Sequence, residues 1–494
     1  MKAPQAAPDV GLSLRGQRRL LRRSTGPEFR RSRSPRLPVL ALFGLALLPG
    51  VWTGPAASFA GEQYWPQWRG PLQNGVAPQA DPPTEWSETK NVKWKVKIPG
   101  EGAATPIVWE DQVFIQTAIA TKKKAETPAG NSASPSIADA PADNPSGPRR
   151  GGRGMGSEKP TEYFQFVLLC LDRQTGKTLW QQIAREEVPH EGHKDPEGSF
   201  AAPSPVTDGQ HVFAYFGSRG LYCYDMTGKL QWSQDFGDLR IARGFGEGSS
   251  PALYQDNILV NWDNEGDSFI IALDKKTGKT IWKTSRDERT SWCTPLVVEQ
   301  KGVAQVVTSA SGRIRAYDLA TGKLAWECGG MTRNVIPSPV AGHEMVYCTS
   351  GFQGNALLAI RLGRSGDLTG SDAIAWSHNK STPYVPSPLL YGDKLYFHAG
   401  NNGILSCFDA QSGRALIDAE RIEDLPGVFA SPVGAAGRVY LVGRNGSVVV
   451  IKQSDKLELL ATNRLEEKFD ASPAIAGKDL FLRGHEHLYC LAEK

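Results

Sequence analysis

The 494-residue chain is poor in sulfur and shows no sulfur pattern. It has seven cysteines, an odd number, no two closer than twenty residues, and no CxxC. That spacing excludes a disulfide-framework mini-domain and a zinc ribbon. After residue 60 there is no apolar run approaching the ~18–20 residues that a membrane-spanning helix needs. Neither a GxSxG elbow nor an HExxH pair occurs, so the nucleophilic-serine and zincin chemistries have no anchor. Asp235, Phe236 and Gly237 copy a kinase magnesium motif, but its Gly-rich loop, Lys strand and catalytic loop are missing, so they read as a strand end after Trp232. Charge of one sign is scarce as well: 56 Lys+Arg against 52 Asp+Glu leave a formal net charge of +4.

That small excess sits at one end. Residues 1–60 hold ten bases and two acids, so residues 61–494 carry 46 bases and 50 acids. The body therefore offers no overall basic field for nucleic acid or anionic membrane. The Arg-rich start is followed by a broken apolar stretch, Leu37 to Trp52, and then by Ala56 to Ala60, with small residues at −3 and −1 of a cleavage after Ala60. A positive n-region, a short h-region and an A-x-A-like site predict a secretory signal peptide over residues 1–60 and an exported, periplasmic or extracellular product. No cysteine precedes Cys170, so a mature N-terminal lipid anchor is not expected.

What the sequence does have is repetition. A small residue followed by proline and a short apolar strand recurs at Pro106, Pro205, Pro251, Pro295, Pro339, Pro388, Pro432 and Pro473, at spacings of 99, 46, 44, 44, 49, 44 and 41. A period of about 40–50 residues holding several short strands is the signature of a β-propeller blade. A second recurrent element, Asp274, Thr277, Gly278, Lys279 and Trp282, is echoed at Asp172 to Trp180, Asp318 to Trp326 and, shortened, Asp225 to Trp232. Asp and Thr can satisfy turn amides, Gly supplies a positive φ, and Trp buries a large face between blades. The last unit stops three strands in, at Cys490 and Leu491, and the strand around Trp94 is expected to supply its fourth and close the ring.

The sequence therefore predicts an all-β, eight-bladed propeller of four-stranded blades. Residues 61–90 form a lead-in and 91–494 the propeller, and 119–162 is a low-complexity, disordered insertion in the first blade. Cys170, Cys223, Cys407 and Cys490 occupy one buried strand position as compact apolar residues. A Cys328–Cys348 disulfide is left open.

The repeat running from Asp through Thr-Gly-Lys to Trp resembles the tryptophan-docking repeat of the pyrroloquinoline-quinone (PQQ) repeat superfamily. That superfamily includes quinoprotein alcohol dehydrogenases and the propeller lipoprotein of the outer-membrane barrel-assembly machinery. More narrowly, the segments Trp65 to Pro71, Phe245 to Pro251, Asn261 to Ser268 and Cys328 to Met331 look like those of exported PQQ-like propellers common in Planctomycetes. The resemblance implies a propeller. It transfers no catalytic residue, because the dehydrogenases' catalytic Asp and calcium ligands have no matching position here, and their adjacent cysteine pair has no counterpart either.

In a propeller the links from strand four to strand one and from strand two to strand three share a face, and here only those links vary in length and polarity. Residues just before strand one should rim the channel on that face: Phe245, Glu247, Trp292, Arg333, Asn334, Tyr384, Phe429 and Asp470. Their aromatics and scattered charges suit a quinone, sugar or peptide, and equally suit interblade packing. Asp263, Glu265 and Asp267 alternate and could converge on a hard cation such as Ca²⁺, although Glu265 and Gly266 also suit a plain turn. His190, Glu191, His193, Asp195 and Glu197 form a second, loop-borne candidate for a transition metal, and His485 and His487 read as surface residues. Two functions compete: an exported binding or scaffold module for an envelope protein or small molecule, and a dehydrogenase dependent on PQQ and Ca²⁺.

Overall fold

The computed structural model describes residues 61–125 and 158–493. They form eight sheets of β-strands with no α-helix and only two single-turn 3-10 segments. No helix among the described residues is long and apolar enough to cross a membrane. The eight sheets are the blades of a ring. Blade 3 illustrates the plan, with antiparallel strands Ala252–Tyr254, Asn257–Trp262, Ser268–Asp274 and Thr280–Arg286. The eighth blade takes its outer strand from the other end of the chain: Val92–Lys97 pairs with His487–Leu491, setting Trp94 opposite Cys490. Blade 4 gains a short fifth strand, Gly366–Asp367, parallel to Leu324–Cys328.

The recurrent hairpin works as its residues suggest, with one addition. The Asp172 carboxylate accepts the Thr175 amide and hydroxyl, and Asp225, Asp274 and Asp318 do the same for Thr227, Thr277 and Thr321. The tryptophan then docks on the next blade's hairpin. The Trp180 indole donates to the Met226 carbonyl, Trp232 to Lys275, Trp282 to Leu319, and the closing Trp94 to Arg173. The hairpin glycine is thus required twice. Gly278 has φ 69°, and a Cβ there would lie 2.6 Å from the Trp232 ring; Gly228 would meet Trp180 at 2.8 Å.

The small residue before each proline is a hydroxyl residue in all eight blades, and these form a belt around the channel. The Thr105 amide donates to the Ser204 hydroxyl, Ser204 to Ser250, Ser250 to Thr294, and so on through Ser338, Ser387, Ser431 and Ser472. The Thr105 hydroxyl returns to the Ser472 carbonyl at 3.1 Å. Proline has no amide to offer, so the residue before it carries the interblade bond.

Three expectations are corrected or bounded. The first-blade strands run further into the interruption than residues 119–162 allowed, spanning Gln112–Lys124 and Glu162–Asp172, because Ala118 to Ala120 pair with Phe166 to Phe164. Residues 126–157 of that insertion, and the signal peptide expected over residues 1–60, lie outside the described residues. Cys328 and Cys348 are not bonded; all seven cysteines are free and buried.

Residues 61–90 are more than a lead-in. They form a strap across the channel on the face of the tight hairpins. Trp65 exchanges backbone bonds with Val108, the Pro66 carbonyl accepts the Thr207 amide, and Gly75 and Ala77 bond Gly434. Fully buried Arg69 donates to the Pro388 and Pro432 carbonyls at 2.7 and 2.8 Å, tying blades 6 and 7 to the strap.

One buried titratable group in the scaffold makes stability depend on pH. Burial lowers the His398 pKa to about 4, with the backbone at Asn402 and Ile404 opposing this. Between that value and the ordinary ~6.5, the unfolded chain binds a proton that the folded protein does not. Stability is therefore full above about pH 6.5 and falls as pH drops toward 4, by about 3 kcal/mol at most. Urea unfolding at pH 7 and pH 4.5 should show this loss, and His398→Gln should flatten it; an unchanged slope in the variant would remove the assignment.

Candidate functional site

On the face of the variable links, the channel mouth opens into a cavity of about 450 Å³. Its wall is built from the segments just before strand one of several blades, so the hydroxyl belt contributes directly: Thr105, Ser204, Ser250, Ser431 and Ser472 all line it. The strap closes it from the other side, placing Trp68 in the lining. The larger apolar side chains of the lining are Phe245, Trp292, Ile336, Phe352, Tyr384, Val385 and Phe429. Six of these lining side chains are aromatic and every one is half-buried, so ring faces are left toward the cavity.

Local contacts hold the rings. The Trp292 indole donates to the Gly246 carbonyl at 2.8 Å. Tyr384 stacks on Phe352 with centroids 5.0 Å apart. Burial pushes the Tyr384 phenol pKa up, partly offset by the Asn334 side chain. The Arg444 guanidinium lies 4.0 Å from the Phe429 ring centroid, a cation–π contact.

The acidic groups of the lining are already partnered. Glu247 accepts the Ser218 amide at 2.8 Å, the Ser218 hydroxyl at 2.6 Å and Arg219 Nη1 at 2.7 Å. Gly217 permits this approach, since a Cβ there would fall 1.5 Å from Glu247 Oε2. Asp470 accepts Arg444 Nε at 2.5 Å and lies 2.8 Å from His485 Nε2. Burial alone would raise the Asp470 pKa, but His485 and Arg444 outweigh it and hold the carboxyl below its ordinary range.

Of the eight rim residues expected from sequence, Phe245, Glu247, Trp292, Tyr384, Phe429 and Asp470 line this one cavity. Arg333 and Asn334 are not in its wall. Arg333 forms a backbone bridge to Phe352 and its residue is exposed, while Asn334 lies beside Tyr384. Trp68, Lys194, Arg243, Ile336 and Phe352 were missed. Phe352 follows strand two of blade 5, and applying the same face rule to the strand-two-to-three links would have found it. Trp68 carried no signal beyond its place in a Trp-rich segment.

The expected cation site at Asp263, Glu265 and Asp267 is not formed. Asp263 is buried and takes Arg286 in a bidentate pair, 2.7 and 3.0 Å, with the Ser291 hydroxyl at 2.6 Å. Glu265 instead accepts the Thr290 hydroxyl at 2.8 Å, and Asp267 sits exposed in a turn. Alternation along a turn does not aim side chains at one point. The loop candidate also disperses: His193 Nε2 is 3.0 Å from Glu101, while His190 Nε2 meets the Leu239 carbonyl at 2.8 Å. Among the described residues, no group of three or more His, Cys, Asp or Glu side chains is placed to hold a metal ion.

The chain matches the family described as outer membrane protein assembly factor BamB over residues 165–418 and 266–494. No curated protein matches it. Among solved structures it is similar to quinohemoprotein alcohol dehydrogenase from Comamonas testosteroni, at 11% identity and TM-score 0.55, covering 89% of this chain and 82% of that one. BamB from Moraxella catarrhalis is 15% identical with TM-score 0.47, covering 66% of this chain and 91% of that one. The computationally designed Ika8 protein is 12% identical with TM-score 0.45, covering 68% and 94%. At these identities the structural likeness speaks to the fold, and the family match spans most of the ring. The chain belongs to the PQQ-repeat propeller family described as outer membrane protein assembly factor BamB.

Proposed function

We propose that this protein is an exported binding propeller that takes up a small, ring-bearing ligand in the channel-mouth cavity. One observation carries the reading: six half-buried aromatic side chains face a single concave space closed behind by the strap. Half-exposed aromatics in a concave wall pay for their hydration until an apolar ring covers them, and a cavity of this size matches a drug-sized ligand. Export rests on the N-terminal run of bases, the short apolar stretch and the small-residue site before Gly61.

The rival reading, a PQQ- and Ca²⁺-dependent dehydrogenase, does not fit these residues. The acids of the cavity are Glu197, Glu247 and Asp470, and the last two already satisfy arginines. No cysteine lies in the lining, so nothing stands where the dehydrogenases carry their adjacent pair.

Calorimetric titration with the neutral aromatic 2-naphthylmethanol tests the proposal. Saturable binding is expected, weakened at least about tenfold in Trp292→Ala, where an aromatic contact of order 1–2 kcal/mol is lost. Leu459→Ala on the outer rim should leave it unchanged. Absence of saturable binding would end the small-ligand reading.

A further inference from the structure

The charges of the cavity wall identify the class of ligand. Five charged side chains line it: Lys194, Glu197, Arg243, Glu247 and Asp470. Glu247 is neutralised by Arg219, Asp470 by Arg444, and Glu197 and Lys194 face each other at 3.7 Å. Arg243 alone makes no hydrogen bond, ion pair or ring contact. The unneutralised charge of the wall is therefore positive, and it adjoins Phe245 on one segment.

That segment is firmly placed. Arg243 sits in the one-turn 3-10 segment Ala242–Gly244 with a left-handed backbone, φ 55°. The Ile241 amide is held by the Glu191 carboxylate at 2.9 Å and the Ala242 amide by the Thr290 hydroxyl at 3.0 Å. The Phe245 carbonyl accepts the Lys194 amide at 3.4 Å, and Lys194 Nζ lies 5.7 Å from the Phe245 ring. A planar guanidinium on an anchored turn beside an aromatic wall is suited to an anion whose geometry matches its fork. A cationic ligand, which six aromatic rings would otherwise favour, would meet this charge with no free acid to offset it.

We infer that Arg243 makes the cavity selective for an aromatic carboxylate of one or two rings, the ring lying against Trp292, Tyr384 and Phe429 and the carboxylate on the Arg243 guanidinium. This rests on the proposed ligand site and adds its charge preference. The test uses the full exported chain and three isosteres, 2-naphthoate, 2-naphthylmethanol and 2-naphthylmethylammonium, titrated calorimetrically at pH 7.5. At a solvent-exposed arginine, naphthoate should bind about five- to tenfold tighter than the alcohol, and the ammonium more weakly than either. In Arg243→Gln, naphthoate should bind no tighter than the alcohol measured on the same variant; because Arg243 is exposed and unpartnered, this variant keeps the native unfolding midpoint. Equal binding of naphthoate and alcohol, tighter binding of the ammonium, or a preference that survives Arg243→Gln overturns the inference and leaves the cavity reading standing. No binding of any of the three overturns both.

Discussion

Asp263→Ala is expected to destabilise the protein by about 3–5 kcal/mol, the largest effect of any single substitution considered. The Asp263 and Arg286 side chains are both fully buried, and removing the carboxylate strands a guanidinium that cannot reach water. Burial alone would lower the Arg286 pKa, but Asp263 overrides it and raises it, so the arginine stays charged rather than escaping by losing its proton. The pair also joins two blades: Arg286 Nη1 donates to the Thr308 hydroxyl at 2.8 Å and the Tyr317 hydroxyl at 2.7 Å, both in blade 4. Urea unfolding of the single variant should show a lower midpoint. The double variant Asp263→Ala, Arg286→Met should recover most of the loss, because no charge is then left buried. A single variant within about 1 kcal/mol of the native protein would show that the pair is solvated or dispensable.

Arg69→Ala is expected to cost about 3 kcal/mol and to open the cavity floor. Arg69 bridges the strap to the Pro388 and Pro432 carbonyls, and its loss leaves two buried acceptors without donors. Burial lowers its pKa to about 9, so it is charged at neutral pH and donates with the full strength of a cation. Its neighbour Trp68 lies in the cavity wall, so a loosened strap should also weaken ligand binding several-fold. Arg69→Lys should not rescue, because a point ammonium cannot span two carbonyls as the planar fork does. An Arg69→Ala protein with native stability and native affinity for 2-naphthylmethanol would mean that the strap does not hold the floor.

Much of the fold was legible because propeller blades repeat locally. The proline period counted the blades, and the Asp-Thr-Gly-Lys-Trp element marked each hairpin. The truncated eighth unit, with Trp94 upstream, exposed the ring closure now seen in the pairing of Trp94 with Cys490. Six of the eight rim residues followed from the same register, since the position before strand one must face the channel in every blade. What failed was any reading that needed a direction in space. Asp263, Glu265 and Asp267 are close in sequence, yet Asp263 turns inward to an arginine twenty-three positions away while Asp267 turns out to water. The strap looked like a bare lead-in because its partners, Val108, Pro388, Gly434 and Asn463, lie up to 379 residues further along the chain.

By itself the sequence determined the class, the blade number, the closing strand and the face on which variation collects, because hydrophobic period and turn chemistry are properties of short segments. Only the tertiary structure decided which charges are spent. Glu247 and Asp470 look like free acids in the sequence and are found neutralised by Arg219 and Arg444, whereas Arg243, one arginine among many, is found without a partner on the cavity wall. The reason is physical: pairing depends on distances between side chains from different blades, and those distances exist only once the ring has closed.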